Sequence, residues 1–144
     1  MQTERNVKNL IFHLSVIITI IILLFLERTY VDMKFEIIEK PSYDLLVSKV
    51  EKIDASNATE LRGLFTELQN KSRNKVVVDL SDTKYCDSSG LSALLLGHRN
   101  CRDTNGKFVV CGIQPMVDKL IKIAQLDKVL QIAGSREKAE QEIG

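Results

Sequence analysis

A chain of 144 residues with 44% hydrophobic side chains and a net charge of +1 has material for one globular domain with an ordinary core, plus an extra piece. The near-neutral charge, the lack of Lys/Arg runs with interleaved aromatics and the absence of a helix-turn-helix or RNA-binding signature argue against nucleic acid as a partner. Cys86, Cys101 and Cys111 are odd in number and form no C-x-x-C or Cys/His pairing, so they read as small buried hydrophobes in a reducing compartment, with no metal site.

The extra piece comes first. Leu10 to Leu26 is an apolar run broken only by His13, Ser15 and Thr19, at the lower limit for crossing a bilayer. No small-residue cleavage site follows it at Phe25-Leu26-Glu27-Arg28-Thr29-Tyr30, which disfavours a signal peptide. Arg5 and Lys8 precede the run while Arg28 and Lys34 follow it, so flanking charge sets no orientation. Two readings stand: residues 1 to 32 form a hydrophobic membrane anchor, with the membrane contacted through residues 10 to 26, or Met33 is the true start.

From Met33 the pattern alternates strands and helices. Met33 to Glu39 and Tyr43 to Val50 predict two strands joined by Lys40-Pro41-Ser42, a turn too short for a crossover and therefore an antiparallel pair. A helix follows, capped by Asp54, Ser56 or Asn57, with Glu60 in capping-box register to Asn57 and an apolar face of Ala58, Leu61, Leu64, Phe65 and Leu68. Lys75 to Leu80 is β-branched and apolar, as a buried strand is. The next helix starts near Ser88 and runs through Arg102, with Leu91, Leu94, Leu95, His98 and Cys101 at helical spacing. After a turn at Asn105-Gly106 comes a strand from Lys107 to Ile113. Pro115 then opens a helix whose Val117, Leu120, Ile121 and Ala124 share a face. A short strand at Val129 to Ile132 and a polar helix from Ser135 to Ile143, capped by Ser135, complete the chain. The expected fold class is α/β, a mostly parallel sheet with right-handed crossovers.

Asp87-Ser88-Ser89-Gly90-Leu91 lies where a strand gives way to a helix. Asp or Ser is favoured as a cap in any protein, but a helix N-terminus also offers backbone N–H groups and a positive dipole end to an anion such as a phosphate on Ser88. A hydrolase serine needs a base within hydrogen-bond reach. The only histidine after Met33, His98, lies ten residues along the same helix, about 15 Å away at 1.5 Å per residue. No Gly-x-Ser-x-Gly elbow, Gly-rich phosphate loop or carboxylate pair is present, so the expectation is a non-enzyme without a cofactor.

Tyr85-Cys86-Asp87-Ser88-Ser89-Gly90-Leu91, followed by helix, Gly-containing turn and the apolar strand at Phe108-Val109-Val110-Cys111, resembles the signature of the STAS family of anti-sigma factor antagonists. Glu51-Lys52-Ile53-Asp54-Ala55 resembles the family's Gly-Glu-Ile-Asp-Ala segment at the end of the second strand, with Glu51-Lys52 departing from Gly-Glu. The resemblance covers residues 33 to 144 and implies a STAS-like mostly parallel sheet with an antiparallel N-terminal strand pair and about four helices. It further implies an anti-sigma factor antagonist that binds a kinase-type anti-sigma factor when unphosphorylated and is released by phosphorylation of Ser88. The implied partner surface comprises Asp54, Asp87, Ser88, Ser89, Gly90, Ser92, Leu96 and Arg99. Ser88, Ser92, Leu96 and Arg99 fall on one helical stripe offset from the core, which predicts an exposed Leu96 beside a buried Leu95. The domain is expected in the cytoplasm even if anchored to the inner membrane. The alternative is a non-catalytic STAS scaffold subunit of a membrane assembly of the lipid-transport type.

Overall fold

The computed structural model describes residues 1–31 and 33–144, with side chains described outside 29–32. The chain divides into two units, Met1–Met33 and Lys34–Gly144.

The first unit is one helix, α1 (Gln2–Val31). Its stretch Gln2–Arg28 has a mean hydropathy of 2.6 in its most apolar window, with none of that window buried. At 1.5 Å per residue it is about 40 Å long, enough to cross a bilayer by length and composition.

The second unit carries a five-stranded sheet in the order β1-β2-β4-β6-β7. Strands β1 (Phe35–Glu39) and β2 (Asp44–Ser48) pair antiparallel, as the short connection through residues 40–43 requires. Strands β4 (Lys75–Asp79), β6 (Lys107–Cys111) and β7 (Gln131–Ile132) join in parallel. The crossovers are α2 (Ala58–Asn70), α3 (Ser88–Arg102) and α4 (Pro115–Ile123), and α5 (Arg136–Ile143) closes the chain. The expected four helices after Met33 are present, and a short 3-10 turn, Leu126–Lys128, adds to them before β7.

Side-chain alternation explains why β4 and β6 read as continuous apolar runs. Val76, Val78, Phe108 and Val110 face the main core with α2, α3 and α4. Val77, Val109 and Cys111 face a second core with Ala139 and Ile143 of α5. A parallel sheet covered on both faces has no solvated side, so alternation vanishes from the sequence.

Helix α3 departs from its predicted face. Leu91, Leu94 and Cys101 are buried as expected, but Ala93 and Gly97 complete the seam, whereas Leu95 and His98 are half-buried. The reason is close approach. A Cβ at Gly97 would stand 2.6 Å from Phe108 Cε2 and 3.0 Å from Phe65 Cδ1, and these two rings meet edge to face at 5.5 Å. Small residues let α3 descend onto β6, and the larger ones ride at its margins. His98 packs edge-on against Phe108, and burial lowers its pKa. In α4, Val117 and Ile121 are buried but Ala124 is exposed as the C-cap residue, a correction to the expected face.

A second small sheet lies outside the main one. Strands β3 (Lys52–Ile53) and β5 (Tyr85–Cys86) pair in parallel, Ile53 opposite Cys86. The segment expected to end β2 is thus a separate strand. Thr83 fastens the approach to β5: its hydroxyl donates to the Val50 carbonyl at 2.9 Å and lies 2.7 Å from the Ser48 hydroxyl.

Candidate functional site

Everything distinctive about the site follows from the β3–β5 ladder. Because Ile53 pairs with Cys86, the residues that follow them, Asp54 and Asp87, emerge side by side, and the Asp87 amide donates to the Ile53 carbonyl at 3.0 Å. Two motifs separated by more than thirty residues of chain become one surface.

Asp87, not Ser88, caps α3. Its Oδ1 accepts from the Ser89 amide at 2.8 Å and the Gly90 amide at 3.1 Å, satisfying two of the orphan donors of the first turn. This revises the expectation that those donors wait for a phosphate. Ser88 is the first helical residue, exposed, and among the described residues its hydroxyl has no hydrogen-bond partner. Ser89 is half-buried. Gly90 is buried, and a Cβ there would stand 2.8 Å from Ile53 Cγ2, 3.0 Å from the Ile53 carbonyl oxygen, and against Cys86 Sγ. Gly90 therefore serves as the spacer that seats α3 on the ladder, buried two residues from the exposed Ser88.

Asp54 organises its own loop. Its Oδ1 accepts from the Ser56 amide at 2.9 Å and the Ser56 hydroxyl at 2.6 Å, and Oδ2 lies 3.3 Å from Lys52 Nζ. The Ser56 hydrogen bonds, more than Lys52, hold its carboxyl below the usual carboxylate range. Asn57 precedes α2 without a side-chain cap. It clips the turn backwards, accepting from the Asp54 amide at 3.0 Å and donating to the Lys52 carbonyl at 2.8 Å. Glu60 does not close a capping box on it and instead approaches Lys34 at 3.8 Å.

Along α3, Ser92 and Arg99 are exposed while Leu96 is half-buried, so the expected contrast between an exposed Leu96 and a buried Leu95 is absent. Both leucines flank the same groove, beside Arg62 of α2. Sequence reasoning missed Lys52 and Tyr85. The Lys52 ammonium sits 5.5 Å over the exposed Tyr85 ring, a contact worth about 0.5–1 kcal/mol at such sites. The available signal was an aromatic residue two places before the Asp87 cap.

No three His, Cys, Asp or Glu side chains converge as metal ligands among the described residues. The three thiols are buried and free, each pushed up to about 12, chiefly by burial.

The STAS domain family model matches residues 34–139. BtrV of Bordetella bronchiseptica, named as an anti-sigma factor antagonist, is 30% identical over 87 residues, covering 60% of this chain and 75% of that protein. An anti-sigma F factor antagonist of Paenibacillus polymyxa is 28% identical over 65 residues, 45% of this chain and 56% of that one. A solved anti-sigma factor antagonist from Mycobacterium paratuberculosis shares the fold with a TM-score of 0.68 at 20% identity, covering 76% of this chain and 92% of that one. The phosphorylated form of the Bacillus cell fate determinant SpoIIAA shares it at 0.61 and 14% identity, covering 76% and 99%. With a family model spanning the α/β unit from Lys34 to Ala139 and relatives of the same kind on both counts, the chain belongs to the STAS domain family.

Proposed function

We propose that this chain is an anti-sigma factor antagonist that binds a kinase-type anti-sigma factor through the surface around Ser88 and is released when Ser88 is phosphorylated. The observation that carries the reading is the Ser88 hydroxyl itself, exposed and without a hydrogen-bond partner among the described residues, at the first turn of α3 beside the aligned Asp54 and Asp87. The names of the relatives support it. In the transfer, the γ-phosphoryl group of ATP moves to Ser88 Oγ, ADP leaves, and the hydroxyl proton passes to a base on the kinase. The domain contributes the substrate oxygen and supplies no catalytic group.

The cap geometry accounts for the release. Phosphorylation adds about −1.5 to −2 charges. Asp87 already occupies the Ser89 and Gly90 amides, so the phosphate is not drawn inward by those donors. It stands at the surface next to a carboxylate, where it repels an apposed partner and raises the desolvation cost of contact. Because the donor is ATP, the domain works in the cytoplasm.

Incubation with the cognate kinase and ATP, followed by mass spectrometry, is expected to find one phosphate on Ser88. Ser88→Ala is expected to remain partner-bound in the presence of ATP. Phosphate confined to Ser89, or continued modification of the alanine variant, refutes the assignment. The apolar α1 favours a second reading, an unphosphorylated scaffold subunit of a membrane assembly of the lipid-transport type, and the same experiment separates the two.

A further inference from the structure

Beside Ser88 lies a groove between α2 and α3 lined by Arg62, Ser92, Leu95, Leu96 and Arg99. At about 270 Å³ it is below the usual range of small-molecule pockets and suits a few side chains. Its chemistry is lopsided. Two arginines flank it and no carboxylate lines it. Arg62 Nη2 donates to the Ser92 hydroxyl at 3.1 Å, which uses one of its five donors, and Arg99 makes no ion pair among the described residues. Leu95 packs on the main core and fixes the apolar floor, while Leu96 stays half-exposed.

Resting on the reading of Ser88 given above, we propose that this groove receives an acidic segment of the anti-sigma factor, its carboxylate between Arg62 and Arg99 and its apolar side chain against Leu95 and Leu96. Charge complementarity selects the occupant, since a guanidinium fork binds carboxylate in preference to neutral groups. The groove also explains how a single phosphate acts over a wider area. Ser92 lies one helical turn from Ser88, about 6 Å along the axis. A carboxylate between Arg62, which bonds Ser92, and Arg99, about 16 Å from Ser88 along the axis, is one to two Debye lengths of about 8 Å from phospho-Ser88 and feels a partly screened repulsion. The acidic anchor that favours binding to the unmodified protein is therefore repelled by the modified one.

The test is affinity of the purified kinase-type anti-sigma factor for the full chain, measured at several salt concentrations on the parent, Arg62→Glu, Arg99→Glu and the double variant, with phosphorylation of Ser88 in each followed by mass spectrometry. The expected result is about a tenfold loss for each single variant and about a hundredfold for the double, with a shallower salt dependence and unchanged thermal melting, because both arginines are exposed. A double variant that binds within twofold of a parent that itself binds and is phosphorylated on Ser88 overturns the groove and leaves the Ser88 reading intact. Absence of binding by every unphosphorylated form overturns both. Sedimentation showing that the parent self-associates and the double variant does not assigns the groove to a second copy of this chain, which also overturns the proposal.

Discussion

Gly63 and Gly90 are both helical, and replacing each with alanine is expected to move stability in opposite directions. Gly63 lies on the exposed side of α2, and a Cβ built there meets nothing within 4 Å. Only helix propensity acts, and Gly63→Ala gains about 1 kcal/mol. At Gly90 the same propensity gain is opposed by collision with Ile53 Cγ2 at 2.8 Å, the Ile53 carbonyl oxygen at 3.0 Å and Cys86 Sγ. The backbone oxygen belongs to the residue that bonds the Asp87 amide, so relief comes by lifting α3 off the ladder. Overpacking of this kind costs about 3 kcal/mol at its upper end, leaving a net loss of about 2 kcal/mol. For a domain of this size the melting temperature rises about 4 °C for Gly63→Ala and falls about 8 °C for Gly90→Ala. Differential scanning calorimetry on both variants decides the matter. If both shift the same way, or if Gly90→Ala lies within about 0.5 kcal/mol of the parent, the claim that the motif glycine is a spacer between helix and ladder is wrong.

Other outcomes follow from particular contacts. Asp87→Ala removes the acceptor for two amides and is expected to cost about 1 kcal/mol in urea titrations. Arg73→Ala strands the fully buried Asp44 carboxylate, which now receives Nε at 2.7 Å and Nη2 at 2.8 Å. A loss of about 3 kcal/mol is expected by the same titration. With each thiol pushed up to about 12 by burial, a disulfide reagent at pH 8 is expected to leave all three cysteines unmodified in the native protein and to titrate three after unfolding. Residues 33 to 144 alone are expected to unfold in a single cooperative transition by circular dichroism, since both core clusters fall within them.

The sequence was most legible where one residue type serves one purpose over several positions. The Val76-Val77-Val78 run, the face of α2 and the Pro115 helix start follow from periodicity and from the fixed φ of proline. What escaped was geometry set by distant partners. Two-residue strands such as Lys52–Ile53 and Tyr85–Cys86 are too short to show a period, so the ladder that assembles the site had no local sign beyond the repeated apolar-Asp step at Ile53-Asp54 and Cys86-Asp87. The seam of α3 was misjudged because large apolar residues attract attention, while close packing over Phe65 and Phe108 selected Ala93 and Gly97. Ser88 was placed correctly near the helix start, yet nothing local distinguishes whether aspartate or serine takes the amides.

A candidate surface carried on a two-stranded ladder outside the main sheet can be exchanged with little disturbance to the sheet that supports it. Gly90 packs directly on Ile53 and Cys86 behind that surface, Leu91, Ala93 and Leu94 hold α3 to the main core, and the outward residues of 51–57 and 85–99 surround them. On the proposed function, transplanting the outward side chains while keeping the buried ones redirects the scaffold to another partner through a handful of exposed positions, and those same few side chains limit crosstalk between coexisting pathways.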